Sequence, residues 1–370
     1  MKVLLVADEF FSWGVYGGFG SFTRKLGGEL VKQGVQVDAI VHKISSKQAP
    51  VGETEVIDGM NVKTLPRDKL GKLLHKELYA TDADIIHSQS GMFDTYFAFK
   101  RNRKCKKVVT IQDLRTKQDL KRIGSSENTR LARKLSRGLA LNLYGKAMRQ
   151  ADRVLVQAEM LVPKVREMFN LKNDPAVMHN FVEIPTGSLV KADVPTVVWL
   201  GRLDPIKRPE LCFKVAKRVP DIQFYILGKS HDINTDYASD PYYRDNKNLH
   251  FMGFQTGQVK EEILSKAWIL LNTSVYECLP VSFLEAMAHK CALLSTQNPD
   301  DYTSRFGYYA EDPKDPYYGE EDPLVDGLKK LLYADNWRTL GQKGYEHVCE
   351  FHDLKKCVKD HISLYRSLTE

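Results

Sequence analysis

Short apolar runs alternate with helix-length amphipathic stretches along the whole chain. Residues 3–7 form an uncharged apolar run, followed by a glycine- and aromatic-rich loop and a helical pattern through Leu30. Similar short runs predict strands at 35–41, 62–65, 85–87, 107–111 and 153–157, with helix-length segments between most of them. Such alternation predicts right-handed βαβ units and a mostly parallel sheet. Residues 180–195, with two prolines and one glycine, break the rhythm and read as a linker. The alternation then restarts, with strands at 196–200, 223–227, 249–252, 268–272 and 292–295 and helices beginning near Arg208, Thr256 and Val281. Residues 324–368 read as helical, with Tyr345, Phe351 and Tyr365 as packing anchors. Two doubly wound α/β halves follow: residues 1–183, residues 184–350, and a C-terminal helix at 351–370 that packs back toward the first half. Open α/β sheets bind ligands beyond the carboxyl ends of their strands, so a cleft between the two halves is the expected site.

Composition narrows the class. At 370 residues, 43% hydrophobic and 27% charged, the chain has a globular composition and room for about two domains. No run of eighteen uncharged apolar residues exists, so no transmembrane helix is expected. The apolar stretch at the N-terminus ends at Asp8 and Glu9, too short for a signal peptide. Six cysteines (105, 212, 278, 291, 349 and 357) show neither a CxxC pair nor zinc spacing. A cytoplasmic setting without structural metal is therefore expected. The net charge of +7 is uneven: residues 101–153 hold sixteen Lys and Arg against four acids. Leu131, Leu135, Leu139 and Leu143 recur there at helical spacing, opposite Arg130, Arg133, Lys134 and Arg137. That face is either a solvated surface or a patch for an anionic membrane or acceptor. Nucleic acid is not an expected partner, because no zinc-finger or RNP-type signature is present.

Three loops carry candidate chemistry. The first, Tyr16-Gly17-Gly18-Phe19-Gly20, joins the first strand to the first helix and lets backbone amides approach a ligand. It lacks the G-x-G-x-x-G pattern, and Val41-His42-Lys43 supplies no acid for a ribose, so an NAD enzyme is disfavoured. The second is Gly201-Arg202-Leu203-Asp204-Pro205-Ile206-Lys207-Arg208-Pro209. Arg202 and Lys207 can converge across its turn on one anion, a fork and a point charge suited to a diphosphate. The alternative is an exposed basic turn. The third runs from Glu277-Cys278-Leu279-Pro280-Val281 to Glu285-Ala286-Met287-Ala288, two carboxylates bracketing a strand-to-helix turn. Amides near Leu279 and Val281 would face a phosphate from a helix N-terminus, where Pro280 is tolerated. Glu285, on an otherwise apolar helix, needs a partner or ligand.

With these motifs and the Gly-Gly loop, the sequence resembles glycosyltransferase family 4 over nearly its whole length. The resemblance implies a GT-B fold, two Rossmann-like domains facing across a cleft, and a retaining enzyme that uses a nucleotide sugar, UDP-linked on family frequency. It implies that Arg202 and Lys207 hold the donor diphosphate, that Glu277 contacts the transferred sugar and that Glu285 contacts the ribose. The base would lie between the Gly228-Lys229 turn and the Gly253-Phe254 backbone, with Gly17 and Gly18 near the phosphates. A hydroxyl acceptor, lipid-linked or saccharide, would meet the first domain near Tyr16, His87, Gln112 and Asp113. The family commonly has a His where this chain has Gln112, in Val108-Val109-Thr110-Ile111-Gln112-Asp113. A glutamine cannot titrate, so a binding or regulatory protein with impaired turnover is the alternative. His87 reads equally well as a packed core residue. Asp82-Ala83-Asp84 has a metal-binding form but opens a strand, at the end away from the expected site, and Asp300-Asp301 reads as a solvated pair. With Arg202 and Lys207 on the diphosphate, no metal is needed.

Overall fold

The computed structural model describes residues 1–10, 18–45, 48–89, 92–122, 131–230, 236–311 and 321–370. The chain divides into two compact units. The first comprises Met1–Leu114, Glu127–Asn180 and Lys355–Glu370, and the second Arg115–Ser126 and Phe181–Leu354. The C-terminal helix Leu354–Thr369 thus belongs almost wholly to the first unit.

The first unit is an eight-stranded sheet: β1 (Lys2–Ala7), β2 (Gln36–His42), β3 (Thr54–Ile57), β4 (Met60–Leu65), β5 (Ile85–Ser88), β6 (Lys106–Ile111), β7 (Arg153–Val156) and β8 (Ala176–Val177). Their order is β3-β4-β2-β1-β5-β6-β7-β8, parallel throughout except for β3. The central β1 is buried on both faces, as expected for an apolar strand with helices on either side. The edge strand β3 was not anticipated. It pairs antiparallel with β4 through the two-residue turn Asp58-Gly59, in which both residues have positive φ (51° and 80°). That is the geometry Asp-Gly favours in a tight hairpin.

The second unit has six parallel strands: β9 (Thr196–Leu200), β10 (Gln223–Leu227), β11 (Leu249–Gly253), β12 (Ile269–Asn272), β13 (Ala292–Ser295) and β14 (Gly307–Tyr309). Their order is β11-β10-β9-β12-β13-β14. The chain winds outward from β9 in one direction and then from β12 in the other. The switch point lies between β9 and β12, where doubly wound sheets open a crevice at their carboxyl ends. Trp199, Phe213, Phe224 and Trp337 fill the core, and Trp337 stacks on Trp268 at 4.5 Å. The segment expected as a linker is fastened to this unit at its end: Ala192 N donates to the Lys266 carbonyl (3.0 Å), and Trp268 Nε1 donates to the Ala192 carbonyl (2.9 Å). Of the three aromatics expected to anchor the C-terminal helices, Tyr365 is fully buried whereas Phe351 is 39% exposed. Trp337 and Val348 do that packing instead.

Candidate active site

At the switch point the loop after β9 is laced to the loop after β12. Val275 N donates to the Ile206 carbonyl at 2.8 Å, and Thr273 Oγ1 lies 2.7 Å from the Lys207 carbonyl and 2.9 Å from that of Arg208. Trp199 Nε1 donates to the same hydroxyl at 3.0 Å. Two loops far apart in sequence therefore hold one geometry, and Lys207 and Glu277 meet there. Lys207 Nζ lies 2.5 Å from Glu277 Oε1. That carboxylate also accepts from Ser274 Oγ (2.6 Å) and Asn272 Nδ2 (3.2 Å). A carboxylate pinned by three donors has little rotational freedom left, and a lysine ammonium keeps two further protons for another acceptor.

Arg202 sits differently. Its guanidinium pairs with Asp204 at 3.0 Å within the same turn and is 53% exposed. Asp204 shapes that turn, accepting from Lys207 N at both its carbonyl (3.0 Å) and its carboxylate (3.2 Å). Arg202 thus shares the loop of Lys207 without joining the Lys207–Glu277 pair.

The buried cation of this loop is Arg208, which the sequence alone does not mark out. It starts the helix Pro209–Arg218 with φ +47°. Its Nε donates to the Thr273 carbonyl (2.6 Å), and its Nη2 reaches the Ser274 carbonyl (3.4 Å) and Thr296 Oγ1 (2.9 Å). One guanidinium therefore ties the loops after β9, β12 and β13 together. Nothing in a basic turn Lys-Arg-Pro distinguishes the arginine that turns inward from its half-buried neighbour Lys207.

The remaining second-unit candidates lie on other turns and helices of the unit. Pro280 caps the helix Val281–Ala288 with φ −71°, Leu279 is buried and Val281 is half-buried, so the first turn opens beside Glu277. Glu285 lies on that helix and has a partner in Lys260, 2.6 Å away on the helix Gly257–Lys266. The carboxylate that seemed to require a ligand thus has a protein cation. Gly228 N donates to the Gly253 carbonyl (2.8 Å), joining the turns after β10 and β11. Phe254 is exposed beside them, with Lys229 Nζ 5.9 Å from its ring centre.

In the first unit, Tyr16 and Gly17 lie outside the described residues, and Gly18 begins the helix Gly18–Lys32. Arg130 also lies outside them, as do the side chains of Arg133, Lys134 and Arg137. Gln112 is buried in a chain of amides beyond the strand ends. Thr23 Oγ1 donates to Gln89 Oε1 (2.8 Å), as does Gln112 Nε2 (3.3 Å), while Gln157 donates to the Gln112 carbonyl and Asn180 to Gln157. Asp113 is half-buried next to it. Asp82 and Asp84 both bond to Lys2, at the end of β1 opposite the strand carboxyl termini.

His87 requires a correction. It is fully buried, with Nδ1 2.6 Å from Tyr365 Oη and Nε2 2.7 Å from Thr110 Oγ1, and His361 packs 5.8 Å away. As placed, it reaches no acceptor. Burial, with His361 adding a repulsive contribution, holds its pKa well below the ordinary histidine value; burial also lowers that of His361. Both shifts favour the neutral imidazole in the folded protein, whereas the unfolded chain takes up protons at these histidines below about pH 6.5. The stability these groups contribute is therefore full above that pH and falls as the solution is acidified. Thermal melts from pH 7.5 to 5.5 should show this decline, flattened in His87→Gln; a level melting temperature would remove the buried-histidine contribution.

Among the described residues, one group has metal-ligand types close together: Asp8, His42 and Asp94. Asp94 is buried and accepts from Tyr79 Oη (2.5 Å), while its Oδ2 lies 2.7 Å from Lys72 Nζ and 2.9 Å from His42 Nε2. Burial alone would raise its pKa, but the His42 and Lys72 contacts hold it below the usual carboxylate value. Lys72 supplies the positive charge that a cation would bring.

Known proteins share both halves of this chain. Residues 16–184 match the family described as Glycosyltransferase Family 4, and residues 194–315 that described as Glycosyl transferases group 1. No curated protein matches the sequence. Among solved structures, sucrose-phosphate synthase from Thermosynechococcus elongatus superposes with a TM-score of 0.75 at 18% identity, covering 99% of this chain and 98% of that one. HepE of Anabaena in complex with UDP-glucose gives 0.70 at 13% identity, with both chains fully covered. WaaG, a glycosyltransferase involved in lipopolysaccharide biosynthesis, gives 0.69 at 13% identity over 98% and 99% of the two chains. At these identities the likeness is one of fold, two Rossmann-like units of the GT-B type.

Proposed function

Starting from a chain that belongs to the glycosyltransferases of family 4, we propose that it transfers a hexosyl unit from a nucleotide diphosphate sugar to a hydroxyl acceptor, with retention of configuration and without a metal ion. UDP-glucose, the molecule bound to HepE, is the first donor to test. The observation that carries this reading is the Lys207–Glu277 pair at the switch point, 2.5 Å apart and held by two interlaced loops. A diphosphate would take the free protons of Lys207 and the guanidinium of Arg202. Glu277 would accept from hydroxyls of the sugar. The bond between the anomeric carbon and the phosphate oxygen breaks with oxocarbenium character, and the charge that develops on the diphosphate is stabilised by the two cations and the amides of Val281–Ala288. A phosphate oxygen of the leaving group takes the acceptor's proton, which spares the site a dedicated base. The acceptor, a lipid-linked glycan, polysaccharide or metabolite hydroxyl, would approach the first unit.

Release of UDP on incubation with UDP-sugars, accelerated by an acceptor, tests this reading. Tight nucleotide binding with no release would favour a regulatory binding protein, the reading supported by Gln112, whose amide cannot titrate. Glu285 gives a separate check. If it and Lys260 form the ribose edge of the site, Glu285→Ala should weaken donor binding about tenfold, equivalent to about 1.4 kcal/mol, with little loss of thermal stability. An unchanged dissociation constant by calorimetry would remove Glu285 from the donor site.

A further inference from the structure

The helix Lys69–Leu74 is turned inside out. Its lysine, Lys72, is buried on Asp94 at 2.7 Å, while Leu70, Leu73 and Leu74 are 65%, 47% and 67% exposed. These leucines stand at i, i+3 and i+4 and so share one face. A surface helix normally does the reverse, and three exposed leucines on one stripe form a contiguous apolar patch rather than scattered exposure. The neighbouring helix Met92–Arg101 extends the patch. Phe93, Tyr96 and Lys100 lie along one of its faces; the two rings are half-buried, and Lys69 Nζ sits 5.2 Å from the Phe93 ring centre.

The exposed charges around this patch are predominantly basic. Arg67, Lys69, Lys76, Lys100 and Arg101 are exposed at its margins. The two exposed acids within 67–77 are engaged locally: Asp68 caps Gly71 N at 2.7 Å, and Glu77 pairs with His75 at 3.3 Å. Leucines ringed by lysine and arginine, with half-buried aromatics beside them, match the interfacial layer of an anionic bilayer. Acyl chains receive the leucines, the rings sit at headgroup level, and the cations meet lipid phosphates. A protein partner fits less well, since lysine is depleted from protein–protein contacts.

We propose that this surface, Leu70, Leu73 and Leu74 with Phe93, Tyr96 and their basic rim, docks the protein on an anionic membrane. Apart from Arg101 it is separate from the basic segment 101–153 singled out in the sequence, and it lies within the first unit. It does not depend on the reading of the donor site, because vesicle binding requires no nucleotide. Among the described residues no helix is long and apolar enough to cross a bilayer, so the contact is interfacial.

The test is co-sedimentation of the full chain with phosphatidylglycerol–phosphatidylcholine vesicles and with phosphatidylcholine alone. Binding is expected to the anionic vesicles, with loss of at least tenfold in Leu70→Ser/Leu73→Ser/Leu74→Ser and a steep fall with salt in the wild type. Lys69→Glu/Lys100→Glu should weaken binding while leaving the leucines in place. Leu73→Trp provides a signal that needs no loss: its emission should shift to the blue on anionic vesicles. UDP release with a water-soluble acceptor should survive in all three variants. Absence of wild-type binding to anionic vesicles, equal binding of the triple variant, or an indole whose emission ignores the vesicles would each overturn the proposal. So would a triple variant that changes only the oligomeric state.

Discussion

Lys207→Ala is expected to slow sugar transfer by at least about 10²-fold at saturating donor, the usual loss when one preorganised charge-stabilising donor is removed from an active site. Two effects add. The diphosphate loses a cation where negative charge grows in the transition state. Glu277 loses the partner 2.5 Å away and keeps only Ser274 and Asn272, so a less compensated carboxylate then faces an anionic leaving group. Lys207→Arg should recover little, because a planar fork cannot occupy the point position of an ammonium. The fold should survive, since Ser274 and Asn272 still bond the Glu277 carboxylate. Rates of UDP release, read beside melting temperatures, separate the two outcomes. A Lys207→Ala enzyme turning over at near wild-type rate would take Lys207 out of the chemistry.

Gly228→Ala should be among the most damaging single methyl additions in the second unit. A Cβ at this position would lie 1.8 Å from the Gly201 carbonyl oxygen. Neither backbone can yield cheaply. Gly201 N is bonded to the Leu227 carbonyl (3.1 Å) and Gly228 N to the Gly253 carbonyl (2.8 Å), so relief must break bonds at the ends of β9, β10 and β11. The expected cost is about 3 kcal/mol or more, a fall in melting temperature of roughly 6 °C, accompanied by loss of donor binding. A variant that melts within about 1 °C of wild type would mean that this close approach is not maintained.

Much of this was legible in the sequence because it rests on local patterns. Apolar runs such as 3–7 and 196–200 are strands buried on both faces, which need no alternation and so stand out. What escaped was set by partners distant in the chain. The three-residue β14 is too short to carry a period. The hairpin of β3 and β4 did have a local signal, the Asp58-Gly59 turn, but its four-residue edge strand is half polar and half exposed and so lacks the apolar run that marks the parallel strands. At the site, Lys207 and Glu277 were legible because a glycine-flanked basic turn and a strand-to-helix acid are recognisable in one dimension. Arg208, Thr273 and Lys260 were not, since burial or pairing with groups on other strands and helices is what distinguishes them. For His87 the sequence left cleft contact and core packing equally open, and only Tyr365, far along the chain and on its ring nitrogen, decides for packing.

A crystal structure of the full chain grown with UDP-glucose would test the donor site most directly. Diphosphate oxygens should lie about 3 Å from Lys207 Nζ, with the sugar hydroxyls on Glu277 and the base beside Gly253. A nucleotide ordered elsewhere, with the Lys207–Glu277 pair left untouched, would contradict the site proposed for this glycosyltransferase.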